Sequence, residues 1–145
     1  MPGRYFLPVF AIVIWGNVFG QVQGDEDSAT CGRLYDTLTQ RMLSRHPDHF
    51  PEFKGGSDGF ENYLNLHFSF NRNKLPYQVT LIITFIVEVD GSITGVTNLY
   101  EQKGIPDEIV KGLLEFFKKL RGYKPALCNG RPVAMRVKQP VILRP

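Results

Sequence analysis

The stretch from Val79 to Val89 constrains this chain more than any other. Val79, Leu81, Ile83, Phe85, Val87 and Val89 fall on one face of a period-two pattern, and Thr80, Ile82, Thr84, Ile86 and Glu88 on the other. Strict alternation rich in β-branched residues predicts a strand with one buried face. Asp90-Gly91 follows directly, a pair that tolerates the positive φ angles of a type I′ turn, so Ser92 to Tyr100 is expected to return as an antiparallel partner. A hairpin with one apolar face must be covered by something else.

The cover is legible further on. Pro106 suits a first helical position, Asp107 and Glu108 complement the positive end of a helix, and Lys118, Lys119 and Arg121 complement the negative end before Gly122. Between them Ile109, Val110, Leu113, Leu114, Phe117 and Leu120 form one apolar stripe. Asn129-Gly130 predicts a second tight turn, after which Val133, Met135 and Val137 alternate with Ala134, Arg136 and Lys138 in a last strand that runs on through Pro140 to Leu143. Strand, strand, helix, strand has few compact solutions when the crossover is right-handed. The expected fold class is α+β, a two-layer sandwich of a three-stranded antiparallel or mixed sheet in the order 2-1-3 with the crossover helix on one face. That order puts the terminal strand on a sheet edge, whose unpaired backbone groups are either protected or used to bind an extended peptide.

Upstream, Leu34, Leu38 and Met42 recur every four residues after Ser28, which predicts an amphipathic helix over 28–45. His46-Pro47-Asp48-His49-Phe50-Pro51 ends it. Gly55-Gly56-Ser57-Asp58 is read as a loop capping a short helix from Gly59 to His67, with Phe60, Tyr63, Leu64 and Phe68 turned inward. At 145 residues the chain holds one modest core. The expected organisation is a leader at 1–20, a helical or linker segment at 21–49 and a domain at 50–145.

Arg4, the apolar run Tyr5–Phe19 and small Gly20 have the layout of a secretory signal, so export is expected; a short uncleaved anchor is the alternative and the one expected route to a membrane. Residues 21–102 carry 6 basic and 11 acidic side chains, whereas 103–145 carry 10 basic and 3 acidic. The cationic C-terminal part raises a nucleic-acid reading, which export argues against, so no nucleic-acid partner is expected. Cys31 and Cys128 are the two cysteines; one disulfide between them is compatible with an oxidising compartment, and two free thiols are the alternative.

Candidate chemistry is sparse. His46, Asp48 and His49 offer metal-ligand types beside prolines, in a pattern more typical of a surface loop, so no metal is expected. A cysteine nucleophile would need His46, His49 or His67 beside it, and no local motif brings them together. Glu88, Asp90 and Glu101 could act as acid and base, but Asp90 already has a role in its turn. Gly55-Gly56 follows no predicted strand, so no phosphate cradle is expected. The chain reads as a non-enzyme with neither catalytic residues nor cofactor.

Phe85-Ile-Val-Glu-Val-Asp-Gly-Ser-Ile-Thr-Gly-Val, the helix Pro106 to Leu120, Gly122-Tyr-Lys-Pro125 and Asn129-Gly-Arg-Pro-Val133 before a basic last strand stand in that order. Together they resemble the C-terminal domain of TonB, over roughly residues 50–145, and Phe50-Pro-Glu-Phe-Lys-Gly-Gly56 is similar to that domain's lead-in. The resemblance implies a periplasmic module that engages an outer-membrane transporter or receptor through its TonB-box peptide, by β-strand addition, in energy-coupled transport. The expected partner-binding edge is Arg131, Val133, Ala134, Met135, Arg136, Val137, Lys138 and Gln139. The short stretch between leader and domain, at most ~100 Å when extended, motivates an alternative: a soluble periplasmic structural or regulatory protein that uses the same fold to form a homodimer or bind the cell wall.

Overall fold

The computed structural model describes residues 31–100 and 103–145. The leader expected at 1–20, Ser28 and Glu101 lie outside the described residues.

The described part begins with a hairpin, β1 (Arg33–Asp36) and β2 (Arg41–Ser44), paired antiparallel with Leu34 opposite Leu43 and Asp36 opposite Arg41. This corrects the helix expected over 28–45. The Asp36 carboxylate accepts from the backbone amide of Thr39 at 2.9 Å and from the Thr39 hydroxyl, and Gln40 takes φ 53°. Such local side-chain bonds offer the backbone a turn in place of a helix. Leu34, Leu38 and Met42, whose spacing suggested an inner stripe, are exposed, and Leu43 and Asp36 are buried instead.

After a short strand β3 (Glu52–Phe53) comes α1 (Gly56–His67). It starts three residues earlier than expected, because Gly55 in the left-handed region at φ 83° turns the chain into the helix and leaves Gly56-Ser57-Asp58 as its first turn. Phe60 and Leu64 are buried. A 3-10 turn at Arg72–Lys74 then leads into β4 (Val79–Val87).

β4 is the central strand. Val79, Leu81, Ile83, Phe85 and Val87 are buried, as are Thr84 and Ile86 on the reverse face. The return strand β5 spans Ile93–Asn98. Its turn differs from the expected type I′: Gly91 alone has positive φ, at 81°, the Gly91 amide donates to the Glu88 carbonyl at 2.9 Å, and the Glu88 amide donates to Ser92 at 2.9 Å. This is a three-residue loop closed by a glycine bulge. Asp90 keeps negative φ because its carboxylate accepts from the Ser92 amide and hydroxyl. Val89 sits in that loop and is exposed, because the strand has ended before it.

α2 (Asp107–Lys119) packs Ile109, Leu113 and Phe117 onto the sheet. Pro106 is its capping residue, and the helix ends at Leu120, whose extended conformation precedes Gly122. The remaining strands are β6 (Tyr123–Lys124), β7 (Ala126–Cys128), β8 (Arg131–Val133) and β9 (Met135–Leu143). Asn129 at φ 50° and Gly130 at φ 75° make the two-residue turn between β7 and β8, both positive as a type I′ turn demands.

The fold is α+β. The main sheet has the order β5-β4-β9, with β4 antiparallel to both neighbours. Helices and aromatic side chains cover one face: Phe85 meets Phe117 and Tyr123 with ring centroids 5.3 Å apart in each case, and Phe53 joins Phe60 at 5.7 Å and Tyr123 at 5.3 Å. Packed aromatic pairs add to the area they bury. The β1–β2 hairpin lies over part of the opposite face. A disulfide joins Cys31, just before β1, to Cys128 at the end of β7, with Cα atoms 6.0 Å apart. Among the described residues, no helix is long and apolar enough to cross a membrane.

Candidate partner-binding edge

β9 pairs with β4 over nine consecutive residues without a register shift, from Met135 opposite Val87 to Leu143 opposite Val79. Its other side has no ladder partner among the described residues. The opposite edge differs. Between Thr84 and Ile86 the β4–β5 register slips, so Gly95 and Val96 together face Phe85, and Gly95 has φ 56°. A bulge of this kind twists an edge away from further pairing. Of the two edges, β9 is the long and regular one.

Backbone bonds establish which β9 residues face outward. The Ile82 carbonyl accepts from the Leu99 amide at 2.8 Å, and the Glu88 amide donates to Ser92, so even-numbered residues of β4 bond to the β5 side. In an antiparallel ladder both backbone groups of a residue point to the same neighbour. Odd-numbered β4 residues therefore bond to β9 through its odd-numbered residues, and Arg136, Lys138, Pro140 and Ile142 face outward. Pro140 agrees independently, because a proline in an unbroken ladder must direct its missing N–H away from its partner. So does Ala134, whose carbonyl accepts from the Ser44 amide at 3.0 Å across the gap to β2.

This geometry corrects the candidate set. Arg131 to Gln139 is not one edge strand: Arg131 and Val133 lie in β8, opposite Cys128 and Ala126, and Ala134 breaks the strand and is capped by Ser44. The turn at Asn129-Gly130 forces β8 back along β7 before the chain can enter the main sheet. Met135, Val137 and Gln139 direct their backbone groups inward to β4. Only Arg136 and Lys138 of the expected set carry complete outward pairs of backbone groups.

The Arg136 side chain is not available to tune a partner's fit either. It folds under the sheet, where its Nε meets Asp36 Oδ1 at 2.7 Å and its Nη2 meets Asp36 Oδ2 at 2.9 Å. Nη1 donates to the Thr84 hydroxyl at 3.2 Å and the Gly95 carbonyl at 3.3 Å. The guanidinium beside Asp36 holds its carboxyl well below the usual carboxylate range. A planar fork that satisfies both carboxylate oxygens is the geometry arginine serves best. Sequence patterning could not distinguish this arginine from an ordinary edge cation; a buried acid in a turn, Asp36, was the missing partner. Arg41 pairs with Glu88 nearby, a second tie between hairpin and sheet. Lys138 remains exposed.

Other candidate chemistry is accounted for locally. Asp48 accepts from the Asn129 amide at 2.6 Å, and Cys31, Asp48 and Cys128 cluster within 4.8 Å, but both sulfurs are consumed by the disulfide and provide neither thiolate ligand nor nucleophile. A groove of about 430 Å³ beside the disulfide is lined by Met42, Leu43, Val89, Pro132 and Val133. A second, of about 420 Å³, lies between the ends of α1 and α2 against Tyr63, His67, Phe68 and Phe116. Tyr123 is buried in the aromatic core, and its hydroxyl donates to Gln139 at 3.3 Å; burial pushes its pKa up to about 12.

Comparisons with protein-family models, with curated proteins and with solved structures give no match.

Proposed function

We propose that this chain is a protein-binding module that accepts an extended segment of a partner as an added strand along β9. Following the TonB-like order of its motifs, the partner is the TonB-box peptide of an outer-membrane transporter or receptor, met in the periplasm. The observation that carries the reading is the regular nine-residue strand β9, whose outer side has no ladder partner among the described residues, set against a β5 edge that is bulged. Main-chain hydrogen bonds would supply affinity, and alternate side chains would supply selectivity.

The test is an NMR titration of the full chain with a TonB-box peptide. Shifts are expected at the Arg136 and Lys138 amides, with smaller ones at Val137 and Gln139. Unchanged edge amides at millimolar peptide would refute the reading.

A second reading draws on a different surface. Tyr35 and Met42, opposite each other in the hairpin, and Leu38 in the turn between their strands are all about half exposed or more, and clustered exposed apolar side chains mark association surfaces. They favour the structural or regulatory alternative, in which the chain pairs with itself or with cell-wall material. Sedimentation of the full chain over a concentration series separates the two, because self-association that survives Lys138→Pro but is lost in Leu38→Asp points to the hairpin.

A further inference from the structure

The open part of β9 is much shorter than β9 itself. At its start the Ser44 amide already occupies the Ala134 carbonyl. Toward its end Pro140, opposite Ile82, has no N–H to give, so a partner strand that runs on to Ile142 must cross a gap in the ladder. Between these limits lie two residues with complete outward backbone groups, Arg136 and Lys138, followed by the lone Pro140 carbonyl. We infer that Ser44 and Pro140 bracket the edge, so that the site admits an extended segment of only about five residues and rejects a second copy of β9.

The chemistry of the admitted segment follows from the side chains. With Arg136 held by Asp36, Lys138 is the one exposed cation among the β9 residues inside the bracket. A carboxylate directly opposite it is favoured as a cross-strand pair. The admitted segment is therefore a short strand with an acidic residue near its centre.

Self-pairing fails on the same geometry. Two copies of β9 aligned antiparallel about Lys138 set lysine against lysine and each Pro140 against the other copy's Arg136, which removes two hydrogen bonds. Aligned about Pro140, they set two prolines face to face. An edge with a proline and a lysine at outward positions resists edge-to-edge association.

The peptide's identity rests on the reading proposed above, whereas the bracket rests on backbone geometry, and the experiment separates them. The probes are blocked peptides of five and of nine residues, alternating threonine and valine with a central glutamate, titrated into the full chain and its Pro140→Ala variant. For the wild type, lengthening the peptide is expected to improve affinity less than twofold. For Pro140→Ala, where the ladder runs on unbroken to Ile142, it improves affinity about fivefold, on the scale of one backbone hydrogen bond. An equal gain in both proteins overturns the bracket. If neither peptide moves an edge amide, the peptide-binding reading falls and the bracket is judged by sedimentation: Pro140→Ala combined with Lys138→Thr should dimerise where the wild type does not, and a monomeric double variant overturns it. Outward parity has its own control. Lys138→Pro should fold, whereas Gln139→Pro should lose a ladder bond and much of its stability; equal damage from both refutes the parity.

Discussion

Arg136 and Asp36 stand a hundred residues apart in sequence and meet through two parallel hydrogen bonds of 2.7 and 2.9 Å. Both side chains are largely buried, at 17% and 8% exposure. Removing one partner of such a pair strands the other charge. Arg136→Met should therefore cost about 3–5 kcal/mol in urea unfolding, while Arg136→Met together with Asp36→Leu should recover much of that loss. A single variant as stable as wild type would show that the pair contributes little.

The same pair sets an acid limit. Asp36 has a folded-state pKa below its unfolded value, so its contribution is complete above the ordinary aspartate pKa of about 4 and is lost as pH falls from there toward the folded value. Stability followed from pH 6 down to pH 2 should decline more steeply in the wild type than in the double variant.

At the alkaline end the sign reverses. The Tyr123 pKa is raised to about 12 by burial, above the roughly 10 of an unfolded tyrosine. The neutral phenol's advantage is complete below about pH 10 and disappears as pH rises toward about 12. Tyr123→Phe should flatten the loss of stability across that window, and an unchanged alkaline limb would mean that another group controls it.

Cys31 and Cys128 close a loop with a sequence separation of 97. Opening a loop of that size costs ~4–5 kcal/mol in the chain-entropy model. Replacing both cysteines with serine should lower the urea midpoint accordingly, and the hairpin amides of Arg33–Ser44 should lose hydrogen-exchange protection before those of β4. Uniform loss across both would show that hairpin and sheet unfold as one unit.

Gly59 gives a prediction that opposes helix propensity. It lies inside α1, where alanine normally gains about 1 kcal/mol over glycine, but an added Cβ would stand 2.2 Å from the Lys54 carbonyl oxygen. Gly59→Ala should destabilise the fold in thermal unfolding by more than that expected gain; a raised Tm would refute the close approach.

These side-chain relationships also explain how far the sequence alone could be read. β4 and α2 were legible because each carries a long apolar period with agreeing turn or cap residues at its ends. The hairpin turn around Asp90-Gly91 is legible, but the strand before it ends two residues earlier than the alternation suggests, since Asp-Gly serves both a two-residue turn and a bulged three-residue loop, and the Asp90 bonds to Ser92 decide between them. At Arg33–Ser44 the helical spacing of Leu34, Leu38 and Met42 misleads, because all three are exposed and none of them is core. The hairpin's real determinants, Asp36 toward Thr39 and Arg136, are polar and one of them is distant, so no local period reveals them. The edge was foreseen as a strand, but its outward parity depends on pairing with β4, which a single strand's pattern does not contain.

The disulfide and the buried ion pair share one more property: each ties the first described residues of the chain to its last quarter. An emerging chain can form α1 and the β4–β5 hairpin from neighbouring residues, but β4 gains its second partner only when β9 arrives, and the β1–β2 hairpin lacks its buried ion pair until Arg136 is in place. Non-local closure of this sort comes late and slowly. Until then Cys31 waits as an unpaired thiol with no intramolecular cysteine to meet, so the timing of oxidation relative to synthesis governs whether the chain closes on itself or onto a neighbour.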